Sequence, residues 1–107
     1  VYDIELLSSF IDKLKGTNVP VIIGVWPLAS YRNALFLQNE VPGVDIPDNI
    51  MKRMEKHSDK ESARRDGVLI AREIVENLKE KISGVQVSPP FGNINTALEV
   101  LKKELDY

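Results

Sequence analysis

The stretch Val19-Pro20-Val21-Ile22-Ile23-Gly24-Val25-Trp26-Pro27 decides the fold. It is short, β-branched, continuously apolar and bounded by prolines, so it reads as a strand buried on both faces, the kind that parallel sheets contain. Strands of a parallel pair are joined by a long crossover, usually helical. Helices and a second strand are therefore expected in the sequence to either side.

Upstream, Asp3 is a good N-cap and Glu5 falls in the first turn. Ile4, Leu6, Leu7, Phe10, Ile11 and Leu14 then recur at helical spacing until Gly16 stops them, which predicts a helix over about residues 4–15. Downstream, Ser30 caps a helix running from Tyr31 to Glu40, which Pro42-Gly43 ends. Pro47-Asp48 opens a short helix through Met51 and Met54, because proline suits a first helical turn where its missing N–H would be unpaired anyway. Ser58-Asp59-Lys60-Glu61 has the spacing of a capping box. Beyond it Ala63, Gly67, Ile70, Ala71, Ile74, Val75, Leu78 and Ile82 form one apolar stripe, the longest helix, ending near Ser83-Gly84. Val85-Gln86-Val87-Ser88 is the second strand, closed by Pro89-Pro90. Asn93 or Asn95 caps a last helix carrying Ala97, Leu98, Leu101 and Leu105. The class is α/β with the order α-β-α-α-α-β-α, uninterrupted by repeats or low-complexity linkers.

Two parallel strands leave two unpaired edges and much apolar area, so they rarely make a free-standing core. More strands are expected outside this chain. It also opens on a helix cap, as though cut just after a strand. A (β/α)8 TIM barrel takes roughly 250 residues, so a chain of this length with two strands corresponds to the closing, C-terminal third of one. Barrel-facing residues such as Val21, Ile23 and Val87 would then lack partners, and the isolated chain is expected to self-associate or fold loosely. A self-standing small α/β binding or interaction domain is the alternative, and another barrel enzyme with similar terminal units is a third.

Composition narrows the function classes. The 14 Lys+Arg against 16 Asp+Glu give a net charge of -2, which leaves no large basic field for a phosphate backbone or an anionic membrane. Nucleic acid and membrane are not expected partners. The absence of cysteine excludes a disulfide framework, a thiolate metal site and a thiol nucleophile, and it permits a reducing compartment. The apolar runs are far shorter than the roughly 18 residues a membrane span needs, and the N-terminus lacks the basic start of a signal peptide. A soluble, cytoplasmic protein is expected.

The residues from Val19 to Gly43, with PVIIGVWPLASYRNALFLQNEVPG among them, resemble the penultimate βα unit of methylenetetrahydrofolate reductases, in which a strand of the form P-I-x-x-G-I-x-P runs into a loop and a helix. The likeness continues through Val44-Asp45-Ile46-Pro47, the Asp66-Gly67 to Ala71 segment, and the final strand from Gly84 to Ser88 leading to Asn93. It is carried by the ordered set rather than by one motif. Trp26-Pro27, Tyr31-Arg32-Asn33-Ala34 and Asn39-Glu40-Val41-Pro42-Gly43 look closest to the branch fused behind a homocysteine methyltransferase domain. The resemblance implies a barrel that binds FAD, takes hydride from NAD(P)H, and reduces methylenetetrahydrofolate to methyltetrahydrofolate. It also implies that most flavin contacts lie on earlier strands, so that this chain alone holds no cofactor and is inactive.

Barrel active sites lie at the C-terminal strand ends, which directs attention to the segments after Val25 and Val87. The resemblance places Asn33 where some members have a folate-binding glutamine, and Leu37 where they have an aromatic residue against substrate. Asn33 is one methylene shorter, and asparagine is also common near helix starts. Tyr31 could present its ring to a ligand, although a half-buried tyrosine with a wet hydroxyl is the commoner situation. Ser88 and Asn93 belong either to the site wall or, for Asn93, to a helix cap. Trp26 and Phe36 are expected to pack between strand and helix. His57, the single histidine, has no second ligand at metal spacing and is expected to face solvent. Arg64-Arg65 lies among Asp59, Glu61 and Asp66 and reads as a mixed solvated helix face. No glycine-rich phosphate loop is present, and no catalytic residue or metal site is assigned.

Overall fold

Pro20 and Pro27 cannot donate to a ladder, and the first strand forms between them. In the computed structural model, which describes residues 2–102, β1 is Ile22–Val25 and pairs in parallel with β2, Gly84–Val87, with Ile22 opposite Gly84 and Val25 opposite Val87. The pairing is lengthened at both ends, by Ser83 N–H donating to the Val21 carbonyl at 2.7 Å and Ser88 N–H to the Val25 carbonyl at 2.9 Å. The helices are α1 (Ile4–Lys13), α2 (Tyr31–Glu40), α3 (Asp48–Glu55), α4 (Lys60–Leu78) and α5 (Ile94–Leu101), with single 3-10 turns at Lys79–Lys81 and Pro90–Gly92. Leu105, expected in the last helix, lies outside the described residues.

The caps explain the helix starts. Asp3, Ser30, Asp59 and Asn93 each accept from the backbone N–H three residues on, satisfying a donor that the helix itself cannot. Asp59, not Ser58, caps α4, because its carboxylate takes both the N–H and the hydroxyl of Ser62, at 3.0 and 2.6 Å. The capping-box spacing is thus one residue out of register. α4 also ends earlier than the apolar stripe suggests, handing over to the 3-10 turn so that Ile82 packs from the approach to β2.

Within this chain β1 is buried on one face, where its continuous apolar run reads as buried on both. Ile23 and Val25 are buried against the helices, with Val85 and Val87 partly buried beside them. Ile22, 67% exposed, and Gly24 lie on the opposite face with their partners Gly84 and Gln86. Side chains alternate along a strand, so Ile23 and Val87 cannot face a barrel interior while they pack on helices. Val21 packs on the same covered side, and the open face carries Ile22, Gly24 and Gln86.

The core lies between the helix-side face of the sheet and α4, whose Gly67, Ile70, Ala71, Ile74, Val75 and Leu78 are buried. α3 contributes Ile50 and Met54, α2 contributes Ala34 and Leu37, and α5 contributes Val100. Gly67 is where α4 comes closest to the strand-end loop, since a Cβ built on it would lie 1.7 Å from the carbonyl oxygen of Leu28. Trp26 and Phe36, expected between strand and helix, are instead exposed, because residues 27 and 28 take the buried places after β1 and Ala34 and Leu37 take those on α2.

Candidate substrate site at the strand ends

Two loops leave the same end of the sheet, residues 26–30 after β1 and residues 88–93 after β2. The first is held rigidly. Leu28 is buried under Gly67, and Tyr2, itself buried, donates its hydroxyl to the Trp26 carbonyl at 2.7 Å. Burial pushes the Tyr2 phenol well above its ordinary pKa, so it stays a neutral donor there. Ser30 Oγ accepts from Asn33 N–H at 3.0 Å, and Asn33 Oδ1 accepts from Ala29 N–H at 3.1 Å. The Asn33 amide therefore clamps the loop with its oxygen, while its Nδ2 has no partner among the described residues.

The other expected site residues are distributed unevenly. Tyr31 is half-buried against the core. Leu37 is 1% exposed, and it borders a groove of about 510 Å³ whose lining includes Tyr2, Leu6, Phe10, Trp26 and Val44. Ser88 bonds backward into the sheet and accepts from Gln86 Nε2 at 3.2 Å, while Asn93 caps α5 through Thr96 N–H at 3.3 Å. Asn93 thus serves as a cap. Sequence reasoning passed over Phe91, which stands 85% exposed in the second loop at φ 51°.

Behind the first loop sits an ionic cluster that sequence reasoning also missed. Arg53 of α3 reaches Asp66 of α4 at 2.6 and 2.8 Å and Glu73 at 2.7 and 3.1 Å, and His57 Nε2 meets Asp66 Oδ2 at 2.7 Å. His57 is consequently not a solvent-facing histidine but part of the α3–α4 joint. Arg64 likewise is more than a solvated helix residue, since it bridges Glu61 on its own helix to Glu99 on α5 at 2.5 Å, whereas Arg65 stays exposed. Among the described residues no group of three or more acidic or histidine side chains could hold a metal, and no helix is long and apolar enough to cross a membrane.

Burial raises the pKa of the Asp66 carboxyl, but the hydrogen bonds from Arg53 and His57, followed by their charges, outweigh it and hold the carboxyl below its usual value. A depressed folded-state pKa means stability that is present above the unfolded value of about 3.9 and lost as pH falls through the lower folded one. Asp66→Asn is therefore expected to destabilise the protein at pH 7 by roughly 1–2 kcal/mol and to flatten its acid-denaturation profile below about pH 4. Urea titrations at a series of pH values check both. A variant whose stability runs parallel to wild type down to pH 2 would remove Asp66 from the account.

A family model described as methylenetetrahydrofolate reductase matches residues 1–88. The chain belongs to the methylenetetrahydrofolate reductase family. The matched segment takes in both strands, the clamped loop and α1 to α4, and it ends at Ser88, the first residue of the loop that carries Phe91 in this reductase-family chain. Comparison with curated proteins and with solved structures gave no significant match. The family is one of folate-related oxidoreductases, generally flavin-dependent, and the parallel α/β arrangement of this chain agrees with its barrel architecture.

Proposed function

We propose that this chain is the closing part of a (β/α)8 barrel that reduces 5,10-methylenetetrahydrofolate to 5-methyltetrahydrofolate, with NAD(P)H and a proton giving NAD(P)+. The family match over residues 1–88 carries this reading. The open sheet face at Ile22, Gly24 and Gln86 supports it, because barrel strands carry helices outside and packed side chains inside.

The two strand-end loops do not fit the diphosphate of FAD. Loops 26–30 and 88–93 contain no basic side chain and no run of glycines to cradle a diphosphate. FAD, which relays hydride when bound, would be held by the remaining strands, and the isolated chain neither holds it nor catalyses the reaction. What the chain supplies is a folate contact, with the Nδ2 of Asn33, without a partner among the described residues, as donor to the acceptor edge of the pterin, two residues from Tyr31 and one helical turn before Leu37.

The test uses the complete enzyme and its two half-reactions. Asn33→Asp keeps the oxygen that clamps Ala29 N–H and puts a charged acceptor in place of the free donor, so it spares the structural bond while opposing the substrate contact. Loss of one hydrogen bond predicts a five- to thirtyfold fall, roughly, in folate-dependent flavin reoxidation, with nicotinamide-driven reduction almost unchanged. Stopped-flow traces of each half-reaction decide it. Equal losses in both would make Asn33 purely structural, and no loss would place it outside the site.

A further inference from the structure

Phe91 combines three properties that packing alone does not account for. It is 85% exposed, it is the only non-glycine residue among those described with a positive φ, and it stands in the loop that follows β2 at the end of the sheet where the Asn33 loop also emerges. A phenyl ring left in water forfeits the burial that would stabilise it. A left-handed backbone adds strain that Gly92, at φ 72°, does not suffer. Pro89 and Pro90 before it, together with the Asn93 cap after it, fix the loop so that the ring is held outward without a partner among the described residues.

We propose that Phe91 is a stacking wall for the planar pyrimidinone half of the reduced pterin of the folate substrate, and that it determines folate affinity. This deepens the reading given above and rests on it. The choice of folate over a dinucleotide follows from charge. Neither strand-end loop carries a charged side chain to complement a diphosphate, while an aromatic face on one loop and, on the other, an amide donor without a partner among the described residues suit a neutral planar pyrimidinone with an acceptor edge. Stacking of one ring on one aromatic side chain is of the size that shifts affinity roughly three- to tenfold.

Phe91→Asn and Phe91→Tyr in the complete enzyme separate a substrate contact from a structural role. Asparagine tolerates the left-handed conformation and removes the ring, whereas tyrosine keeps the ring. The expected result for Phe91→Asn is a KM for methylenetetrahydrofolate raised about three- to tenfold, unchanged flavin reduction by NAD(P)H, and a melting temperature equal to wild type or higher. Phe91→Tyr is expected to restore the wild-type KM. An unaltered folate KM in Phe91→Asn, or equal losses in both half-reactions, would overturn the assignment while leaving the folate reading intact. A wild-type enzyme whose reduced flavin is not reoxidised by methylenetetrahydrofolate would instead overturn the functional reading, and the Phe91 assignment with it.

Discussion

Gly67→Ala is expected to cripple the protein, lowering its stability by roughly 3 kcal/mol or more, although alanine is the better helix former. The added methyl would sit 1.7 Å from the Leu28 carbonyl oxygen and 2.8 Å from its carbon, and these atoms are backbone rather than a side chain that can swing away. Leu28 cannot retreat easily. Its own side chain is buried, and the next residue is tied to Asn33 through the Ala29 N–H. Either α4 lifts off the loop, opening the core at Ile70, Ala71 and Ile74, or the loop moves and releases the Asn33 clamp. Overpacking of a well-filled core usually costs about 1–3 kcal/mol, and a backbone obstacle puts this site at the upper end or beyond. Natural domains are stable by only about 5–15 kcal/mol, so the ratio of folded to unfolded protein would fall by about two orders of magnitude. Urea denaturation of wild type and variant measures it. An alanine variant as stable as wild type would mean that α4 does not press on the loop after β1.

Much of this arrangement is legible in the sequence because it is local. The caps at Asp3, Ser30 and Asn93, the stop at Gly16 and the long apolar stripe of α4 all follow from spacing within a few residues. The first strand is marked by a β-branched run between prolines, and the second by a short valine-containing run closed by Pro89-Pro90. What is not legible depends on partners distant in the chain. The run from Val19 to Pro27 is apolar at every position, so nothing in it says that Ile22 would be open and Ile23 covered. Trp26 and Phe36 are large and apolar, yet smaller or branched neighbours take the interior places. His57 looks like a stray surface histidine until α3 and α4 fold together and Asp66, nine residues on, comes within 2.7 Å. Phe91 carries no periodic signal in its loop, and only its left-handed backbone and exposure single it out. At the strand ends the spacing marks Asn33 as a polar residue of the first helical turn, but not the division of its amide between an oxygen that accepts from Ala29 N–H and an Nδ2 without a partner among the described residues.

The second large effect is expected at Ile22. In the free chain its side chain lies on the open face of a two-stranded sheet, beside Gly24 and across from Gly84 and Gln86. If the sheet is two staves of a barrel, the complete protein fills that face with side chains from the other strands, and Ile22 becomes part of a packed interior that water and reagents enter only by opening the barrel. Opening of well-packed elements approaches the free energy of global unfolding, so protection should amount to a factor of at least about a hundred. A self-standing small domain would leave the face as wet as it is here. Because this chain has no cysteine of its own, a thiol placed at position 22 is a unique reporter within it. The decisive measurement is the alkylation rate of Ile22→Cys in the complete native protein, followed by peptide mass mapping and referred to the same protein unfolded in urea. The barrel account predicts a native rate at least about a hundredfold below the unfolded one, and a native thiol that reacts nearly as fast as the unfolded one would contradict it.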